Sequence, residues 1–405
     1  MIIRNKQDMK KILRKIHLWL SVPTGIVITL VCFSGAMLVF EKELTEAVRP
    51  EVYFVKEPHA EALPMQELME KLEDTLPDSV SITGVTVSSD KSRTYQVSLS
   101  KPRRASIYVN PYTGEITGRS ERLPFFDTMF RLHRWLLGKS SNDNGIAWGK
   151  LLTGVSTLAL VFILITGILM WLTNRNKPLK ASLVIHVNKG WRRFWHDLHV
   201  AGGIYATLFL LAFALTGLTW SFSWYRSGFY ACFGIEAPHG GHGVARNQPR
   251  GEQREEHKGE HGERHHRFGP DGEYHSWGWG GRMHRSPYRH WDKLLETMKK
   301  ENHGWQQISI KKDAVEVVPQ GRRSLRATDQ YSYDRRSGDI TDVLPYDAQT
   351  KDVKVRSAVY RVHTGSWGGI ITRILSFLAA IIGATLPLTG YWLWFRRKRL
   401  PSPRL

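Results

Sequence analysis

Four histidines stand at matching places beside the apolar stretches of this chain, and imidazole is the side chain that most readily ligates a metal at neutral pH. His17 precedes Ser34 by 17 positions and His199 precedes Thr216 by 17, and each hydroxyl is followed by a glycine, Gly35 and Gly217. Phe130-Arg131-Leu132-His133 with Gly138 has its echo in Tyr360-Arg361-Val362-His363 with Gly368. Thr166-Gly167 parallels Thr389-Gly390, each followed by a tryptophan and an arginine. An ionisable group beside a membrane helix is costly unless it pairs or coordinates. Two imidazoles from facing helices are the donor set of a six-coordinate b-type haem suited to electron transfer. A single interfacial histidine is often only an amphipathic end group. Four at repeat-related positions, two to each membrane face, favour ligation.

The elements that must position them are four uncharged runs, 18–40, 151–173, 200–225 and 374–395, of 23, 23, 26 and 22 residues. About 20 apolar residues in a helix cross a bilayer core. The first run is too long for a cleavable signal peptide, and Glu41-Lys42-Glu43 follows it where a small-residue cleavage site would stand, so it reads as a retained anchor. Matching offsets at a long period mean duplication. The repeated unit is a helix running out, an external module and a helix running back.

The basic balance follows from this layout. The chain has 405 residues, 57 Lys+Arg against 37 Asp+Glu, and a net charge of +20. Most of the excess lies in the N-terminal tail, the loop 173–195 and the C-terminal tail. The positive-inside rule makes these cytoplasmic. Residues 41–150 and 226–366 then lie outside, which in a bacterium is the periplasm, and the chain belongs in the inner membrane with both termini cytoplasmic. A nucleic-acid partner would want the charge on one folded face, so none is expected. With only 2 Cys, a disulfide scaffold or a four-cysteine metal site is out, and no C-x-x-C-H motif offers covalent haem attachment. No P-loop or G-x-G-x-x-G opens a helix. Any electron donor must therefore be external, a quinol or a separate reductase.

The expected fold class is a membrane α-helical protein with four transmembrane helices as two tandem repeats, each with a periplasmic α+β module. The expected boundaries are a basic tail 1–17, helix 18–40, module 41–147, helix 148–173, basic loop 174–195, helix 196–225, external region 226–366, helix 367–395 and basic tail 396–405. Each module has a short helical pattern, at 65–76 and 288–300, then alternating strands. Each closes on a hairpin carrying turn residues, Asn110-Pro111-Tyr112-Thr113-Gly114-Glu115 and Asp334-Arg335-Arg336-Ser337-Gly338.

Asp197-Leu198-His199 with Gly203, and the Tyr112-Thr113-Gly114-Glu115 ending, sit in this four-helix, two-module layout. The set resembles the PepSY-associated transmembrane family over roughly residues 9–400. The resemblance implies PepSY-like modules in a bacterial inner-membrane haem protein, some relatives of which reduce ferric siderophores in the periplasm. The expected cofactors are two b-type haems, one held by His17 and His199 near the cytoplasm and one by His133 and His363 near the periplasm. Arg131, Arg134 and Arg361 are candidate propionate partners. Arg103, Arg104, Arg119, Arg122, Arg322, Arg323 and Arg326 are candidates for an anion-tolerant docking surface. The expected partners are membrane lipid, a ferric chelate or siderophore, and the external donor. One difficulty is distance, because a helix from His17 to Phe40 runs about 35 Å.

The alternative from another class is a non-enzymatic PepSY membrane protein that binds a peptide, a protease or an uptake partner, its histidines structural. A metal permease would want acidic groups midway through its helices, and the four runs contain no Asp or Glu. Residues 234–290 have no apolar periodicity and are rich in histidine. His239, His242, His257, His261, His265 and His266 there are candidates for loose metal binding, with a soluble linker as the plain alternative. His196 reads as a spare group near His199, and His186 as a solvated loop residue. The repeated glycines serve either helix packing or the close approach of a flat macrocycle.

Overall fold

The computed structural model describes residues 6–58, 61–102, 104–138, 147–173, 179–236, 286–322 and 325–399. The histidine-rich candidates His239, His242, His257, His261, His265 and His266, together with Arg103 and Arg323, lie outside the described residues.

The first half of the chain runs α1 (Lys6–Leu38), α2 (Glu41–Val48), α3 (Pro50–Tyr53), α4 (Met65–Glu73), β1 (Ile82–Ser88), β2 (Tyr95–Leu99), β3 (Ser106–Val109), β4 (Ile116–Arg119), α5 (Pro124–Trp135) and α6 (Trp148–Leu172). The second runs α7 (Trp191–Asp197), a π-helical turn Leu198–Gly202, α8 (Gly203–Ser221), α9 (Ser223–Ala231), α10 (Trp291–Glu301), β5 (Trp305–Lys311), β6 (Ala314–Pro319), β7 (Asp329–Tyr333), β8 (Ile340–Leu344), α11 (Lys351–Thr364) and α12 (Ile370–Arg399).

Four stretches are long and apolar enough to span a bilayer: Asp8–Leu38, Trp148–Leu172, Trp191–Ser221 and Ile370–Arg396. Lipid tails are as apolar as leucine, so such helices associate through small residues that let backbones approach. Ala36, Ala159, Ala206, Ala214, Ala379 and Ala384 are buried accordingly, while Leu208, Ile371, Ile26 and Phe162 stay exposed on the outer faces. Polar ties cross the bundle where few apolar contacts fix register. Thr29 Oγ1 donates to Ala384 O at 3.1 Å, and Tyr391 Oη to Val22 O at 2.6 Å. At the far end Arg373 grips Glu43 bidentately and donates to Val39 O. The third apolar run does not continue as one helix to residue 225. Phe222 is extended (φ −125°, ψ 130°), because its ring docks against Gly154 of α6, where a Cβ would meet it at 2.8 Å.

The two external modules are not separate. Their strands form one antiparallel sheet in the order β4-β3-β2-β1-β5-β6-β7-β8, which reads alike from either edge. The seam is β1 against β5, from Gly84↔Lys311 to Ser88↔Gln307. At its middle the hydroxyls of Thr86 and Ser309 hydrogen-bond at 2.9 Å. Strand alternation puts Val85, Val87, Val97, Ile107, Val109, Ile308, Ile310, Val315 and Val317 on one face. There α4 (Met65, Leu68, Met69, Leu72) and α10 (Trp291, Leu294, Leu295, Met298) cover them in one continuous core. Asp292, at the start of α10, accepts from the backbone N–H groups of Met65 and Gln66. It thus caps α4 from the opposite half of the chain, doing the work of an N-cap that Pro64 cannot.

Candidate cofactor-binding site

Each of the four histidines docks its ring on the glycine of a neighbouring helix. His17, on α1, lies over Gly167 of α6. Its Nδ1 is 3.0 Å from Ile163 O and 3.1 Å from Thr166 Oγ1. His199, in the π-helical turn, lies over Gly390 of α12, with Nδ1 3.1 Å from Leu386 O and 2.9 Å from Thr389 Oγ1. His363, on α11, lies over Gly217 of α8, with Nδ1 3.2 Å from Phe213 O and 3.1 Å from Thr216 Oγ1. His133, on α5, lies over Gly35 of α1, with Nδ1 2.9 Å from Val31 O.

The rule behind the four sockets is the same. The acceptor carbonyl stands four residues before the glycine, and the hydroxyl residue one before it. Thr166, Thr216 and Thr389 donate their own hydroxyl protons back along their helices, so their oxygens are free to accept from the imidazole. A carbonyl can only accept, hence each Nδ1 carries the proton and each Nε2 presents its lone pair. Ser34 also donates along its helix, to Leu30 O and Val31 O. The recurring glycines therefore make room for imidazole edges. A Cβ at Gly35 would stand 2.9 Å from His133 Cε1, against 3.2 Å at Gly217, 3.4 Å at Gly390 and 3.5 Å at Gly167.

The sockets bring the rings together in two pairs. His17 and His199 have ring centroids 6.5 Å apart with planes at 85°. His133 and His363 are 6.0 Å apart with planes at 59°. Helices α5 and α11 lie outside the four spans, and burial lowers the basicity of His133 and His363. Because His133 docks at the level of Val31 to Gly35, the two pairs are separated along α1 by roughly 21 to 27 Å at 1.5 Å per residue, less than the full helix length. Phe213 packs on His363 at 6.3 Å and Phe209 on Phe213 at 6.3 Å, so aromatic rings occupy part of that interval. Trp220 closes on His363 at 5.0 Å.

The arginines are placed differently from one another. Arg131 is exposed. Arg134 lies over the rings of Trp135 and Phe130, at 5.2 and 5.7 Å. Arg361 has a buried Nε with no hydrogen-bond partner among the described residues, as do Arg226 and Arg356. Of the candidate docking arginines, Arg104 and Arg119 are exposed, and three others are engaged within the fold. Arg122 pairs with Glu41 and covers the Phe130 ring, Arg322 stands between Asp329 and Asp347, and Arg326 lies over Tyr360.

His186 is not a solvated loop residue. It is half-buried, and its Nδ1 stands 2.8 Å from Oδ2 of Asp197, a buried carboxylate that also accepts from Arg193 Nε at 2.8 Å. His196 reaches the other oxygen at 3.3 Å. Asp197 was visible in the sequence as an acid preceding a candidate ligand. Only its burial among Arg193 and two histidines marks it.

A bundle of four spans joined to an antiparallel sheet covered by two helices defines a multi-pass membrane protein with an α+β module. The chain belongs to the PepSY-associated TM region family, whose model matches residues 14–397. No curated protein matches it.

Proposed function

We propose that this is an inner-membrane b-type haem protein that passes electrons across the bilayer to reduce a ferric chelate, of the ferric-siderophore class, in the periplasm. In this reading the chain is two tandem copies of one unit, the sheet is periplasmic and both termini are cytoplasmic, as the basic tails and loop require. His17 and His199 hold one haem, and His133 and His363 the other.

The observation that carries the reading is the pairing of four Nδ1-anchored imidazoles. An imidazole nitrogen sits about 2.0–2.1 Å from a first-row metal and the ring centre about 1.1 Å behind it, so two rings on opposite sides of one metal stand about 6.3 Å apart. The observed separations of 6.5 and 6.0 Å bracket that value. Among the described residues no group of three or more His, Cys, Asp or Glu side chains is arranged to hold a metal ion. A pair of imidazoles suits a metal that brings its own equatorial donors. The unpartnered Nε of Arg361 fits a propionate.

When bound, haem supplies reversible one-electron transfer. The chain's own part is to fix four rings in one tautomer with Nε2 left to coordinate, bring them together in pairs and exclude water with the apolar bundle. A carbonyl accepting from Nδ1–H also raises the donor strength of Nε2. Reduction suits the substrate, because hard oxygen donors hold Fe³⁺ far better than Fe²⁺ and one electron loosens the metal. The test is a dithionite-reduced minus oxidised spectrum with haem quantified per chain. Two low-spin b-haems per chain are expected. Protein from haem-supplied cells that carries none refutes the reading and leaves the non-enzymatic alternative.

A further inference from the structure

We propose that the loop between the second and third spans is an oxidation site for a lipid-dissolved quinol, with Nε2 of His186 as the proton acceptor. This rests on the function proposed above and names its electron donor.

Two independent observations meet at this loop. The first is a poised base. Asp197, 4 % exposed, accepts from His186 Nδ1 at 2.8 Å and from the His186 backbone N–H at 3.3 Å, and Arg193 Nε holds the same oxygen at 2.8 Å. A carboxylate on Nδ1 fixes the tautomer in which Nε2 is the basic atom, and it stabilises the imidazolium that forms when Nε2 takes a proton. His196 faces the other carboxylate oxygen at 3.3 Å, so among the described residues the charged and titratable groups in contact around His186 are Asp197, Arg193 and His196.

The second observation is the surface around that base. Val184 and Val187 flank His186 and are 51 % and 69 % exposed; Trp191, which opens α7 after the loop, is 67 % exposed, and Tyr205 of α8 is 58 % exposed. The second span ends at Leu172 and the third begins at Trp191, so the loop that carries Val184, His186 and Val187 joins the two spans at one membrane surface, while Tyr205 lies further along the third span. The loop is pinned there. Tyr205 Oη donates to Leu183 O at 3.0 Å, and Trp171 Nε1 to Ser182 Oγ at 2.6 Å. Apolar side chains around a base at a membrane surface fit a reductant that arrives through lipid and must lose a proton with each electron. A quinol is that class of molecule. Asp197 also stands two residues before His199, which puts the site beside the inner histidine pair.

The balance closes within the proposed reaction. One quinol becomes one quinone as two O–H bonds break. Its two electrons reduce two ferric ions to ferrous, and its two protons leave one after the other through His186 Nε2 to water on the loop side of the membrane.

The test uses the full-length haem-loaded protein in detergent with decyl-ubiquinol, a short-tailed quinol, and follows haem reduction by stopped flow. His186→Gln keeps an N–H for Asp197 but offers no basic nitrogen. It is expected to slow reduction by the quinol by at least about 100-fold, the contribution of a positioned general base. Its haem content and its reduction by dithionite should stay at wild-type levels. Val187→Asp, which leaves the base in place but charges the apolar approach, should weaken the dependence on quinol concentration. In haem-free protein, the oxidised quinone should quench tryptophan emission along a saturable isotherm, and Trp191→Phe should reduce that quench. Equal rates for wild type and His186→Gln, or a quench that rises without saturation, overturn the proposal. Absence of haem defeats the function above, and saturable quinone binding would still be read separately.

Discussion

The four glycine sockets make a prediction whose sign differs between sites that look alike in sequence. Gly35 and Gly167 each precede an apolar stretch within a spanning helix and each follows a hydroxyl residue. A Cβ at Gly167 would meet His17 Cε1 at 3.5 Å, an ordinary contact. Replacing a mid-helix glycine by alanine is worth about 0.8–1.0 kcal/mol in helix propensity. Gly167→Ala is therefore expected to be neutral or to stabilise by up to about 1 kcal/mol. At Gly35 the same methyl would stand 2.9 Å from His133 Cε1 and 3.1 Å from its Nδ1. The ring must then move. It has little slack, because its Nδ1 is already at 2.9 Å from Val31 O and, unlike the other three rings, it is not also held by the hydroxyl of its socket, which Ser34 turns to Leu30 O and Val31 O. Losing a hydrogen bond to a buried group costs about 1–3 kcal/mol, so the net effect of Gly35→Ala is destabilising by up to roughly 2 kcal/mol, with His133 displaced from His363. The assay is haem per chain together with the low-spin spectrum and the thermal midpoint for both variants. Gly35→Ala should lose the outer site selectively while Gly167→Ala keeps both. Equal behaviour of the two variants, or a full outer site in Gly35→Ala, would refute the claim that these glycines exist to admit imidazole.

Other expectations follow from particular contacts. Thr389→Val removes the second acceptor of His199 Nδ1 but leaves Leu386 O. Loss of such an outer partner should weaken retention of haem at the inner site by about 10-fold, the low end of what these contacts usually carry, as read by haem transfer to an apo-globin acceptor. Asp292→Ala should lower stability by about 0.5–2 kcal/mol, the range of a lost helix cap, measured as a shift in thermal midpoint. Asp292→Asn should fall between the two. Trp291→Ala opens the shared core of the sheet and should cost about 3–5 kcal/mol. Glu43 is held below the usual carboxylate range chiefly by its hydrogen bond from Arg373. A depressed carboxylate contributes stability that is present above its unfolded pKa of about 4.3 and is lost as pH falls through the lower folded value. The stability difference between wild type and Glu43→Gln should thus persist at neutral pH and vanish on acidification below about pH 4. A difference that grows on acidification would contradict the pairing.

Much of this molecule was legible in its order of residues. The uncharged runs at 151–173 and 374–395 could only be spans, because nothing else hides more than twenty apolar residues from water. The fixed offsets from His17 to Ser34 and from His199 to Thr216 set four histidines apart from the other thirteen. What local pattern cannot carry is the meeting of distant surfaces. Period-two alternation marks strands at 85–87 and 308–310, but nothing in either says that they pair with each other and fuse two modules into one sheet. The break at Phe222 depends on a glycine in another helix, and the cap on α4 comes from Asp292, over two hundred positions away. His186 read as a loop residue because burial by a carboxylate eleven positions on leaves no trace in hydropathy. The glycines were ambiguous for the same reason. A glycine records that something approaches closely, and only the tertiary structure decides that the visitor is the edge of an imidazole. Sequence fixes which faces are apolar and where chemistry-bearing side chains fall along each helix. Long-range pairing and contacts of a few tenths of an ångström are decided by packing, where one methyl group is enough to move a ring.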